Sequence, residues 1–246
     1  MSDVLSPAAA APAGDGVVSR LIGVVFSPRA TFERIVARPR WFAALVIIVG
    51  LIALGQFVLL STESGQQAMI DQQVRRTEQW GGTVSDEQYA TFERMAPYGR
   101  YFAVAGVAIF VPVVTFAVSG ALLGVFNALL GGNATYKQVL AVNTHSGATN
   151  LLGLLFTLPL NYLRESMSSP TNLGVFAQAF LDDTNVVARF LGTIDVFIVW
   201  AVLVNAIGLA VLYRRRTAPI FWSLMGVYIG IALVYVMVTG IMSGGA

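Results

Sequence analysis

The side chains best equipped for chemistry lie together at Asn143, Thr144, His145, Ser146 and Asn150. Asn143, Ser146, Gly147 and Asn150 fall at i, i+3, i+4 and i+7, which is one face of a helix. Thr144-His145-Ser146-Gly147 sets a hydroxyl beside an imidazole, a combination used for intramembrane proteolysis. Adjacent helical residues point about 100° apart, however, and His145 is the only histidine. No second histidine exists to act as base for a serine nucleophile. A single histidine and no cysteine exclude a multi-histidine, HExxH or cysteine metal site. Gly131-Gly132 is not followed by the Gly-Lys-Ser/Thr of a phosphate-cradling loop. No basic-aromatic surface points to nucleic acid, and no convincing internal repeat points to a secondary transporter. The sequence therefore predicts no catalytic residue, no cofactor, no metal and no nucleic-acid partner. It predicts a protein that is not an enzyme.

The elements that would position these residues follow from composition. Of 246 residues, 56% are hydrophobic and 11% charged, against about 25% charged in a typical soluble domain. The charges cluster and leave long uncharged runs, each of which needs about 20 residues to cross a bilayer as a helix. Five qualify: residues 41–60, 101–130, 139–163, 190–213 and 218–242, the fourth broken only by Asp195. Trp41, Tyr101, Tyr136, Tyr162, Tyr213 and Trp222 lie near the ends, where amphipathic aromatics favour the headgroup level. The expected fold class is all-α, a polytopic integral membrane protein. Its core is a five-helix transmembrane bundle with short amphipathic and extramembrane helices.

Residues 1–16 are Ala/Pro/Gly-rich without apolar periodicity and read as a disordered tail, not a signal peptide. Residues 17–40 form a basic amphipathic cytoplasmic segment, with Ser27-Pro28 as a helix start. Phe32, Ile35 and Val36 make its apolar face, and Arg29, Arg34 and Arg38 are candidate lipid contacts. Such a helix lies in the headgroup plane or packs on a soluble partner; the span that follows at once favours the plane. Residues 61–100 read as an external helical hairpin, broken at Gly81-Gly82 and restarted by a Ser85/Gln88 capping box. Asp182-Asp183-Thr184 reads as the cap of the fourth span. Basic residues are densest around residues 20–40, Lys137 and the Arg214–Arg216 triplet. By the positive-inside rule that side is cytoplasmic, with the N-terminus in and the C-terminus out. The expected location is a bacterial inner membrane.

Inside the membrane, Asn127, Asn143, His145, Ser146, Asn150 and Asn205 are expected to form one polar cluster in the inner half of the bundle, because buried amides need partners. The cluster is either a structural hydrogen-bond network or a ligand site. Gly120, Gly124 and Ala128, with Gly226 and Gly230 in the last span, stand four residues apart. Small residues so stacked let a second backbone approach, within the bundle or across a dimer. Pro112 is expected to kink the second span.

The stretch ALLGGNATYKQVLAVNTHSGATNLLGLLFTLPL resembles the central core of the Yip family, the Ypt/Rab-interacting membrane proteins. The shared features are a Gly-Gly turn at Gly131-Gly132, an aromatic at Tyr136, and a span opening with small polar residues at Asn143–Asn150. IDVFIVWAVLVNAIGLAVLYRRRTAP resembles the family's later core through Trp200, Gly208 and Arg214–Arg216, and SPRATFERIVARPRWF resembles the pre-membrane segment of bacterial members. The resemblance covers roughly residues 25–240 and implies a cytoplasmic N-terminus and five spans. The eukaryotic Asp-Leu-Tyr-Gly-Pro signature is missing, and bacterial relatives often place a proline where Ala148–Leu151 sits, so GTPase binding and vesicle traffic are not implied. The expected function is a non-catalytic membrane protein that organises partner proteins or membrane structure, with the bilayer and a membrane-protein partner or second copy as its contacts. The alternative is a small-molecule or lipid transporter or channel-like protein that uses the polar cluster.

Overall fold

The computed structural model describes residues 16–129, 131–177, 180–181 and 185–242. The expected tail, apart from Gly16, and the expected cap at Asp182-Asp183-Thr184 lie outside the described residues. Among the described residues the protein is an all-α membrane bundle without strands. Four stretches hold helices long and apolar enough to cross a bilayer. They are α3 (Phe42–Leu59), α6 (Gly99–Leu123), α11 (Val196–Tyr213) and α12 (Thr217–Met242). α1 (Val17–Phe26) and α2 (Pro28–Ala37) precede them.

The span expected at 139–163 is broken. It comprises α7 (Tyr136–Ser146) and α8 (Ala148–Arg164), and neither is 18 residues long. The break falls at Gly147, which caps both helices; a Cβ there would lie 3.1 Å from the Thr144 carbonyl oxygen. The pair still crosses beside α3. Gly147 faces Ile48 at one level, and Gly55 faces Leu154 and Leu158 further along. At the far end Ser64 Oγ donates to Glu165. Thus, among the described residues, the bundle has four long apolar helices and a fifth traverse made by the broken pair α7 and α8.

α3 leads into α4 (Glu63–Gln79), and α5 (Asp86–Met95) returns towards α6. The turn between them uses Gly81 at φ 78°, a left-handed conformation that favours glycine. Ser85 and Gln88 cap α5 reciprocally. α6 runs through Pro112 and ends in a π-helical turn, Gly124–Leu129. The short helices α9 (Gly174–Ala177) and α10 (Val186–Gly192) lie before α11. The fourth span therefore begins at Val196 rather than 190, and Asp195 is its N-cap: Oδ1 accepts from the N–H groups of Phe197 and Ile198.

The amphipathic segment is not laid on the bilayer by its apolar face. α2 buries Phe32 and Ile35 against α7 and α11. Phe32 reaches that depth because residue 208 is glycine; a Cβ there would lie 2.5 Å from Val142 Cγ1 and 3.0 Å from the Phe32 ring. Arg29, Arg34 and Arg38 are exposed. Ser27 precedes Pro28 at the helix start but its side chain makes no capping bond. α1 buries Leu21 and Val24 together with Arg20, and it presents Val18, Ile22 and Phe26 on the open side. In lipid, apolar residues on the outer face carry no penalty.

Candidate functional site

α2, the ends of α6 and α11, and the start of α7 close one end of the bundle around Phe32, Phe126, Val139, Val142 and Leu209. Above that plug the helices part. α6 packs on α3 and α7, whereas α12 packs on α11, α10 and α4. The crevice between α6 and α12 holds a cavity of about 530 Å³. Aliphatic side chains form its walls, Val114, Val118 and Leu122 from α6 and Leu224, Val227 and Ile231 from α12. Asn143, Thr144, Ser146, Asn150 and Asn205 face it from α7, α8 and α11.

The floor is a directed chain of hydrogen bonds. Asn205 Nδ2 donates to Asn143 Oδ1 at 2.9 Å. Asn143 Nδ2 donates to Ser119 Oγ at 3.0 Å and to the Thr115 carbonyl at 3.1 Å. Ser119 Oγ donates to the same carbonyl at 2.6 Å. This ties α11 to α7 and α7 to α6. Two buried atoms of cavity-lining residues, Asn205 Oδ1 and Thr144 Oγ1, have no hydrogen-bond partner among the described residues. An amide oxygen can only accept; both atoms are shielded from the cavity as the side chains stand, so Asn205 would have to turn before its oxygen met a hydroxyl, amine or amide donor. Among the described residues lining the cavity none is charged or a histidine, so it is equipped to hold a molecule by burial and hydrogen bonding.

The six expected cluster residues do not form one cluster. Asn143 and Asn205 meet directly, and Ser146 and Asn150 border the same cavity. Ser146 Oγ is tied back to the Val142 carbonyl at 2.9 Å. His145 is fully buried and does not line the cavity; its Nδ1 lies 2.8 Å from the Ala141 carbonyl. Asn127 is a staple elsewhere. Its Nδ2 donates to the Ala134 carbonyl at 2.7 Å, and its Oδ1 accepts from Tyr213 Oη at 3.0 Å. It thereby clamps the turn at Gly131 (φ 68°) and Gly132 onto the end of α11, where a Cβ on Gly132 would lie 2.5 Å from the Tyr213 ring. Depth along a helix located these residues, but helix rotation separated them.

Sequence reasoning missed Thr115, Ser119 and Tyr228, which lines the cavity from α12 and donates to the Thr193 carbonyl. Thr115 and Ser119 are the only Ser or Thr residues of residues 101–130 and stand at i and i+4, a signal that could have placed them on one face. Among the described residues, the small-residue faces meet no neighbouring helix. A Cβ at Gly120, Gly124, Gly226 or Gly230 would meet no atom within 4 Å, and Ala128 is exposed. The intramolecular packing expected of them is absent because α6 turns its opposite face, with Ser119 and Leu122, to the bundle.

Comparison with known proteins gives two matches. A family model described as the Yip1 domain matches residues 22–241. The chain is 26% identical over 233 residues to Membrane protein YknW of Bacillus subtilis, an alignment covering 91% of this chain and 90% of that protein. No solved structure matches.

Proposed function

The chain belongs to the Yip1 domain family, and from that premise we propose that it is a non-catalytic membrane protein whose crevice receives an amphiphile from the bilayer. The reading rests on one observation: an aliphatic cavity of about 530 Å³ with the hydrogen-bonded amides Asn143 and Asn205 on its floor. Ligand sites typically enclose about 300–1,000 Å³. One turn of a partner helix, about 10 Å across and 5.4 Å high, fills roughly 400 Å³, so the cavity is too short for a spanning helix. An acyl chain entering between α6 and α12 fits it, with a hydroxyl or amide group on the floor. We place the protein in a bacterial cytoplasmic membrane with α2 and Arg214–Arg216 on the cytoplasmic side. The basic-residue asymmetry and the Bacillus relative support this placement.

Native mass spectrometry of the detergent-purified protein tests the reading. The wild type should carry a bound lipid or similar amphiphile, and Ala201→Trp, which fills the crevice from α11, should carry less while keeping its helix content. A wild type free of any amphiphile, or equal occupancy in a folded Ala201→Trp, would contradict it.

A second reading is an organiser that packs a partner or a copy of itself. The exposed, uncontacted face of Gly120, Gly124 and Ala128 favours it. A dimer in the same spectra that Gly124→Leu abolishes would support that reading.

A further inference from the structure

At the end of the bundle opposite Arg214–Arg216 lies a second cavity, of about 450 Å³. It is separate from the crevice and shares no lining residue with it. Three arginines from three elements line it: Arg75 of α4, Arg164 at the end of α8 and Arg189 of α10. Among the described residues, no carboxylate lines it. Two acids near these arginines in sequence have other partners, Asp71 accepting from Gln67 and Glu165 from Ser64. Arg189 is oriented by donating from Nη2 to Thr239 Oγ1 at 2.7 Å. Arg75 and Arg164 make no hydrogen bond or ion pair among the described residues. Ser166 and Ser168 add hydroxyls and Asn172 an amide to the same wall.

Like charges gathered round one cavity repel each other, and an anion between them relieves that repulsion. Guanidinium forks match phosphate oxygens two at a time, which makes arginine the preferred residue for planar phosphate recognition. We propose that this cavity binds a phosphate group. The shared chemistry admits two sources, the phosphodiester of an anionic lipid headgroup and a soluble phosphate. α12 lends Val236 and α10 lends Ala188 to the lining, so the cavity adjoins lipid-exposed helices as well as solvent.

The test uses the full-length protein and Arg75→Gln/Arg164→Gln, a pair of exposed residues whose replacement relieves repulsion and should not lower the ligand-free melting temperature. Arg29→Gln/Arg34→Gln at the other end of the bundle serves as a control for general basic attraction. One arm measures retention of phosphatidylglycerol over phosphatidylcholine from mixed vesicles by native mass spectrometry. The other titrates the detergent-solubilised protein with inorganic phosphate and follows thermal stabilisation. Losing charge-assisted hydrogen bonds should weaken binding roughly tenfold or more in the Arg75/Arg164 variant and much less in the control. Such a loss in the vesicle arm assigns the cavity to a lipid headgroup; in the phosphate arm alone, it assigns it to a soluble anion. If neither ligand binds the wild type, if both variants lose binding equally, or if the Arg75/Arg164 variant binds like the wild type, the proposal fails.

Discussion

Asn205 of α11 gives its amide hydrogen to the side-chain oxygen of Asn143 of α7 across 2.9 Å, and its own oxygen is buried without a partner among the described residues. The bond joins two helices that otherwise meet through aliphatic side chains. It also sets the polarity of the crevice floor, since every proton in the chain from Asn205 to the Thr115 carbonyl points towards α6.

Replacing Asn143 by leucine should therefore cost more than one bond. It strands the Asn205 amide in hydrocarbon, a loss of about 1–3 kcal/mol. Asn143→Leu/Asn205→Leu should be less destabilised than the sum of the single variants, because the second change removes the stranded group. Melting temperatures of the four proteins in detergent check this; strict additivity would mean that the two amides do not act as a pair.

The glycines should divide by contact. Gly208→Ala puts a carbon 2.5 Å from Val142 Cγ1 and pushes on the Phe32 ring, an overpacking worth about 1–3 kcal/mol. Gly124→Ala meets no atom within 4 Å and should leave the monomer's melting temperature within experimental error. A reversed order would overturn the rotations given to α6 and α11.

This division was only partly legible in the sequence. Hydrophobic run length located the membrane crossings, and spacing found the faces of Phe32/Ile35 and Gly120/Gly124. Periodicity reports that a face exists, not what covers it. Phe32 met protein where lipid was expected, and Gly124 met no other part of the chain where a helix was expected. Lipid is as apolar as a core, so hydropathy does not separate the two. The break at Gly147 was equally hidden, since 139–163 reads as one apolar run. Asp195 was found as a lone acid; its cap of α11 is local, but the Ser169 and Thr171 hydroxyls that fill its Oδ2 come from a loop distant in sequence. Asn127 shared the chemistry of Asn143 without sharing its neighbours, because it lies about two turns beyond Ser119 and faces Tyr213.

Asp195 predicts a pH dependence. Burial raises its pKa, but hydrogen bonds from the Ser169 and Thr171 hydroxyls (2.5 and 2.6 Å) and from the Phe197 and Ile198 N–H groups outweigh it, and the carboxyl lies below its ordinary value. Its contribution to stability is fully present above that ordinary value, about pH 4, and is lost as pH falls through the lower folded value. Asp195→Asn should be less stable than the wild type at neutral pH and should lose less stability on acidification below about pH 4. Parallel acid limbs for the two proteins would remove Asp195 from this role.

Orientation has a direct check. With α2 and Arg214–Arg216 in the cytoplasm, a reporter fused after Ala246 that works only in the cytoplasm should be silent, and one fused ahead of α1 should be active. Activity at the C-terminal fusion would reverse the placement or change the number of crossings.

The central claim is that an acyl chain enters between α6 and α12 and reaches Asn143 and Asn205. Photo-crosslinking with a phospholipid carrying a photoreactive group along its acyl chain tests it most directly, with labelled residues mapped by peptide mass spectrometry. The account predicts labels on cavity residues of residues 111–122, 143–150 and 201–205, reduced in Ala201→Trp. Labels confined to outward side chains such as Ile109, Phe110 and Val113, with the crevice residues unmarked, would contradict it.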